Sequence, residues 1–127
     1  MGAVAVRGND LLMIRRGHGP AAGRWSVPGG RVEHGETLAE AVVRELLEET
    51  GQEGLCGPFL GWVERLEEGE HFVILDFEVV VLSTDEPVAG DDAAEARWVP
   101  VWEVPELPLV EGLAEFLDEH DIIETLT

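Results

Sequence analysis

The chain has 127 residues and a net charge of −19, with 27 acidic residues against eight basic ones, all of them arginine. That balance argues against a basic nucleic-acid surface, the length suits one domain with one core across residues 1–127, and no apolar run approaches the ~18 residues of a membrane span. Cys56 is the only cysteine, which excludes an intrachain disulfide, and with no signal peptide in view a cytoplasmic protein is expected.

Residues 2–8, GAVAVRG, read as a strand, Asn9-Asp10 as a turn, and residues 11–16, LLMIRR, as the antiparallel partner. Arg15 and Arg16 close that strand at the Gly/Ala/Pro-rich loop 18–23, a suitable place to meet a phosphate. Arg24-Trp25-Ser26-Val27 forms a short strand leading to Pro28 and the turn Gly29-Gly30; Arg24 is a further candidate substrate contact, and Trp25 a core or pocket-wall residue. His18 and His34 lie in loops without metal-ligand spacing and read as surface residues.

A helix follows. Thr37 and Glu40 form a capping box at its start and Gly51 supplies its stop. Ala39, Val43, Leu46, Leu47 and Thr50 are expected to form the packed stripe, with Glu45, Glu48 and Glu49 on the opposite side. Three glutamates so placed disfavour the helix. They repel one another at i,i+3 and i,i+4, and two of them sit at the end where the macrodipole disfavours anions. Arg44 is the only cation within the helix. A solvated acidic face is the simplest reading of the glutamates alone. The glycine turn favours a second reading, because backbone without Cβ can approach a ligand and lend a carbonyl to a hard cation such as Mg²⁺.

After the helix, residues 54–58 are expected to break the chain, Phe59 to Arg65 to form a strand, and residues 67–70 a turn. His71 to Leu82 carry the longest strand signal, apolar enough for burial on both faces. Asp76 and Glu78 interrupt it on one face, where they line a substrate cleft or, the simpler reading, mark the strand's wetter side. Residues 83–94 form an acidic loop, and Glu95 to Pro100 resume a strand in which Trp98 packs in the core or stacks on a base. Trp102 to Leu107 suggest a helical turn, Leu109 to His120 a final helix, and residues 121–127 a fraying tail.

Gly30, Glu36, Arg44-Glu45-Leu46, Glu48-Glu49 and Gly51 fall at the spacing of the signature of the Nudix hydrolases, and the chain resembles that family. The one departure is Gln52, where an aliphatic residue is expected. The resemblance implies an α/β fold, a Nudix-type α/β/α sandwich with a central mixed β-sheet. It implies metal ligation by Glu45, Glu48, Glu49 and the Gly30 carbonyl, with Glu36 assisting the metal shell and Arg44 orienting a glutamate. It also implies Mg²⁺, with Mn²⁺ as substitute, and attack of water on a nucleoside diphosphate linked to another group. Members often carry one more acidic residue in the loop near the metals; Glu95 is the first candidate for that base or ligand and Asp92 the second, beside Glu48 and Glu49 themselves. Many members are dimers, so a homodimer is compatible with the resemblance.

The signature does not name the substrate. Glu68 stands where ADP-ribose hydrolases often carry proline, and the chain has no tyrosine, which dinucleoside polyphosphate hydrolases often have there. HFVILDFEV followed by DDAAEARWVP is similar to small bacterial members acting on ADP-ribose or nucleoside triphosphates. An ADP-ribose-type nucleoside diphosphate sugar is therefore the first expectation and (d)NTP pyrophosphohydrolysis the second. A non-catalytic binding module is the third, disfavoured because no glutamate of the signature is lost.

Overall fold

The computed structural model describes residues 1–90 and 92–124, leaving aside the side chain of Glu67. Six strands form one mixed, split sheet: β1 (Gly2–Arg7), β2 (Asp10–Arg16), β3 (Trp25–Ser26), β4 (Gly54–Glu67), β5 (Glu70–Val81) and β6 (Ala93–Pro100). The order is β3-β2-β1-β5-β4, with β6 on β2. Among the described strand pairs β1 and β5 alone run parallel. β1 pairs with β2 only at the hairpin end, Val6↔Leu11 and Arg7↔Asp10. At the other end β2 pairs with β3 instead, and β1 meets the glycine turn through the Gly2↔Gly29 bridge. This split opens a cleft beside the start of β1.

Strand alternation divides the core into two layers. Ala3, Ala5, Leu12 and Val79 point to one face, where Val42 and Leu46 of helix α1 (Leu38–Thr50) cover them. Val4, Leu11, Met13 and Val99 point to the other, under Leu113, Phe116 and Leu117 of α2 (Leu113–Glu119). A sheet between two helices is the α/β/α sandwich expected.

Helix α1 keeps its expected ends. Thr37 accepts from the Glu40 amide, Glu40 reaches back to Thr37, and Gly51 takes a left-handed φ of 70°. Its phase differs from the expectation. Ala41, Val42, Leu46 and Thr50 are buried, whereas Val43 and Leu47 are 36% and 50% exposed and Ala39 is exposed too. The packed face is thus turned so that Glu45 and Glu49 flank it, half-buried, and Glu48 alone faces outward.

Three other elements differ. β4 begins at Gly54 rather than Phe59, because register shifts at Cys56/Phe59 and Phe59/Gly61 accommodate Pro58 on an edge strand. The final helix begins at Leu113, not Leu109. Residues 108–110 instead run strand-like along Trp25, whose N–H donates to the Pro108 carbonyl while Val110 N–H donates to the Trp25 carbonyl, and Gly112 makes the turn with a φ of 84°. β6 begins at Ala93, so Glu95 is a strand residue. The expected fraying tail lies outside the described residues from position 125 onward.

The loop between β5 and β6 caps the C-terminus of α1. Val88 N–H donates to the Thr50 carbonyl and Gly90 N–H to the Glu49 carbonyl. Gln52, the departure from the signature, is fully buried, and its Nε2 donates to the Asp85 carbonyl of the same loop at 3.2 Å. A Cβ at Gly90 would overlap the Glu48 carbonyl oxygen. Gly90→Ala is therefore expected to destabilise the fold by about 2 kcal/mol, read as a lower thermal midpoint.

Candidate active site

The cleft has a volume of about 1050 Å³. Two short-range features build its acidic end. The first is the glycine turn. The Gly30 N–H donates to the Met1 carbonyl at 3.0 Å and the Met1 ammonium donates to the Gly30 carbonyl at 2.8 Å, which clamps the turn to β1. A Cβ on Gly29 would overlap the Met1 carbonyl, and one on Gly30 would stand within 2.6 Å of Glu45 Oε2, so only glycine admits these approaches. The second is the last turns of α1, which carry Glu45 and Glu49 into the cleft.

Glu49 is the most perturbed carboxyl there. Its Oε2 accepts from the Gly29 N–H at 3.1 Å. Burial is the main cause that pushes its pKa up to about 8; repulsion from Glu45 and Asp92 adds to this, while the Gly29 bond and the Arg16 charge oppose it. Glu45 is also pushed up, first by burial, against the pull of Arg44.

Arg44 organises the other acids. Its Nε donates to Glu36 Oε2 at 2.6 Å and its Nη1 to Glu45 Oε1 at 2.8 Å and Glu48 Oε2 at 3.0 Å. Nη2 donates to the Arg31 carbonyl at 2.9 Å and to Glu36 Oε1 at 3.0 Å, and Glu33 lies 3.7 Å from Nη1. This fork joins the loop to the helix. The Arg44 bond lowers the Glu36 pKa, and Glu36 is not among the cleft-lining residues.

The remaining sequence-derived candidates separate. Arg16 lines the cleft with Asp92 and with His18, which is exposed at its rim as expected of a surface residue. Arg15 does not; it pairs with Glu95 at 3.6 Å. Glu95 also meets Arg97 at 3.2 Å and lies opposite Arg15 on the β2–β6 ladder, outside the cleft. Of the two loop-acid candidates, Glu95 stands within β6 and does not line the cleft, whereas Asp92 does. Arg24 donates to the Leu109 carbonyl and borders a separate depression with Pro20, Ala21 and Glu111. Trp98 packs on the α1-side core beneath the Arg7 guanidinium, 4.6 Å from its ring. Neither lines the cleft.

The residue that sequence reasoning undervalued is Asp76. It is 3% exposed, lines the cleft, and has its pKa pushed up to about 6, chiefly by burial. An acid inside the longest apolar strand was the available signal.

The donor set fits a divalent cation. Carboxylates and a backbone carbonyl are the oxygen ligands that a hard cation prefers. The Met1 ammonium already marks a cationic position at the Gly30 carbonyl, where the Glu45 and Glu49 charges reach it. Among the described residues no three acidic, histidine or cysteine side chains already form an ion-holding group. Glu45 and Glu48 are turned to Arg44 instead.

Comparison with known proteins agrees with this architecture. The family model for the NUDIX domain matches residues 1–120. An ADP-ribose pyrophosphatase of Methanocaldococcus jannaschii is 39% identical over 112 residues, covering 83% of this chain and 66% of that relative. A putative 8-oxo-dGTP diphosphatase of Bacillus subtilis is 31% identical over 98 residues, covering 76% of this chain and 61% of that relative. This chain therefore spans just under two thirds of the length of both. The crystal structure of a MutT NUDIX hydrolase from Burkholderia pseudomallei superposes with a TM-score of 0.72 at 28% identity, over 92% of each chain. With its signature, its cleft and its sandwich in agreement with these matches, the chain belongs to the Nudix hydrolase family.

Proposed function

We propose that the chain is a metal-dependent pyrophosphohydrolase that cleaves a nucleoside diphosphate linked to another group, with an ADP-ribose-type nucleoside diphosphate sugar as its substrate. The observation that carries this reading is the Glu49 carboxyl, its pKa raised by burial and by the charges of Glu45 and Asp92, with which it lines a cleft large enough for a nucleotide. Similarity to a named ADP-ribose pyrophosphatase favours the sugar substrate. Similarity to a putative 8-oxo-dGTP diphosphatase supports the second reading, (d)NTP pyrophosphohydrolysis. All glutamates of the signature are present, which disfavours a module that only binds.

Glu45, Glu49 and the Gly30 carbonyl would hold Mg²⁺, or Mn²⁺ in its place, with Glu48 joining from the helix end. When bound, the cation offsets charge on the pyrophosphate and makes water a stronger nucleophile. Arg44 holds Glu45 and Glu48 in register and Glu36 fixes Arg44 from the loop. Arg16, on the cleft wall, offers a bidentate phosphate contact. Asp92 accepts the proton of the attacking water: it lines the cleft, its charge reaches Glu49, and it forms no ion pair among the described residues.

The chain acts as one domain over residues 1–127. A cytoplasmic setting is supported by its composition, and no helix among the described residues is long and apolar enough to cross a membrane. A homodimer would cover the exposed apolar residues Trp62, Leu66 and Val73 of β4 and β5. The substrate panel tests the reading. With Mg²⁺, release of AMP from ADP-ribose is expected to exceed release of pyrophosphate from nucleoside triphosphates. The reverse order would transfer the assignment to the second reading, and no turnover of any member would reject both.

A further inference from the structure

Asp76 lines the same cleft as Glu45 and Glu49, and the Met1 ammonium that donates to the Gly30 carbonyl feels the charge of all three. On the sheet Asp76 stands directly between Gly2 of β1 and Gly61 of β4. A Cβ at Gly2 would overlap Asp76 Oδ1, and one at Gly61 would stand 2.8 Å from His120 Nε2. Two flanking strands thus each present glycine at this level of the sheet, and the carboxylate fits because the nearer one does. Asp76 is 3% exposed, and its Oδ1 is buried without a hydrogen-bond partner. Burying an acceptor unmatched is costly, and folded proteins rarely leave one so unless something else supplies the donor. Val63, Ile74 and Leu113 line the same cleft.

We propose that Asp76 is the specificity-determining residue of the cleft: it accepts a hydrogen bond from an amino group of a nucleobase seated against Val63, Ile74 and Leu113, while the pyrophosphate lies at Glu45 and Glu49. This rests on the nucleotide reading above and names the part of the ligand that Asp76 recognises. The walls favour a base over a sugar. A planar base gives its faces to apolar side chains and its edge to one acceptor, whereas a sugar would strand its other hydroxyls against Val63, Ile74 and Leu113. A cationic ligand group is disfavoured because the Met1 ammonium, Arg65 and His120 already bring positive charge to Asp76. With a pKa of about 6, the carboxyl is mostly ionised at neutral pH and serves as an acceptor.

The test compares base pairs that differ at an amino group. Adenine against hypoxanthine nucleotides reads the 6-amino group, and guanine against hypoxanthine reads the 2-amino group. The wild-type protein is expected to prefer the amino-bearing member of at least one pair by about tenfold in kcat/KM, carried by KM. In Asp76→Leu that ratio falls to near one, with the change carried by KM. In Asp76→Asn, whose amide can donate to the hypoxanthine oxygen, the 6-position preference is reduced or reversed. Equal kcat/KM for both pairs in the wild-type protein would overturn the proposal, as would an unchanged ratio in the folded variants. So would loss of ribose over deoxyribose discrimination in their place. Titration of the wild-type protein with AMP, GMP and IMP separates this inference from the proposed activity. An AMP or GMP complex tighter than that of IMP, without turnover, would reject the activity and keep Asp76, whereas turnover with equal affinities for AMP, GMP and IMP would do the opposite.

Discussion

Glu49→Gln is expected to lower kcat by about 10³-fold or more while leaving the fold intact. Glutamine keeps the shape and can still accept from the Gly29 N–H, the bond that Glu49 Oε2 makes at 3.1 Å. It cannot supply the negative charge that a cation needs. Stability should move the other way. The Glu49 pKa is raised to about 8, so the metal-free fold holds the proton that the unfolded chain has already lost at the ordinary carboxylate pKa. That stabilisation is full at acid pH and is lost as pH rises towards and through 8. The glutamine variant has no such loss. Thermal melts in chelator across pH 5 to 9 are therefore expected to show the wild-type midpoint falling relative to Glu49→Gln. A variant with wild-type turnover would remove Glu49 from the chemistry, and parallel melting curves would remove the buried proton.

Arg44→Ala is the second large effect. Arg44 is the hub of Glu33, Glu36, Glu45 and Glu48, and the side chains of Arg44, Glu36 and Glu45 are only 22%, 17% and 14% exposed. Removing the guanidinium leaves Glu36 and Glu45 without their cation. Glu48 contributes little because its side chain is 57% exposed. The thermal midpoint should fall measurably below that of the wild-type protein. Turnover should fall as well, since Glu45 loses the contact that sets its orientation. Arg44→Lys should restore only part of either, because one ammonium cannot replace a fork that serves Glu36 with Nε and Nη2 and Glu45 with Nη1. If Arg44→Ala melted like the wild-type protein, the fork would be a surface decoration.

The legible part of this molecule is the part written locally. Thr37, Glu40 and Gly51 act within a few residues of themselves, so the ends of α1 can be read from the sequence, and the signature from Gly30 to Gly51 carries its spacing with it. The phase of α1 was not legible, because Val43 and Leu47 are as apolar as the residues that pack, and only the sheet decides which side is covered. The start of α2 depended on Trp25, far away in the chain, which holds residues 108–110 extended. Glu95 and Asp92 differ by three positions, and the β2–β6 register, with Arg15 opposite Glu95, decides which one reaches the cleft. Asp76 depends on Gly2 and Gly61 arriving beside it from two other strands, a register that no local pattern encodes.

Isothermal titration of Mg²⁺ or Mn²⁺ into the wild-type protein at pH 7, repeated in buffers of different ionisation enthalpy, tests the site most directly. Glu49, with its pKa near 8, is mostly protonated at that pH, so a cation that takes its carboxylate must expel the proton. Saturable binding with release of nearly one proton per protein is expected, with affinity rising as pH approaches 8 and with Glu49→Gln binding weakly and releasing none. Binding without proton release, or equal binding by the glutamine variant, would contradict a cation held by Glu49.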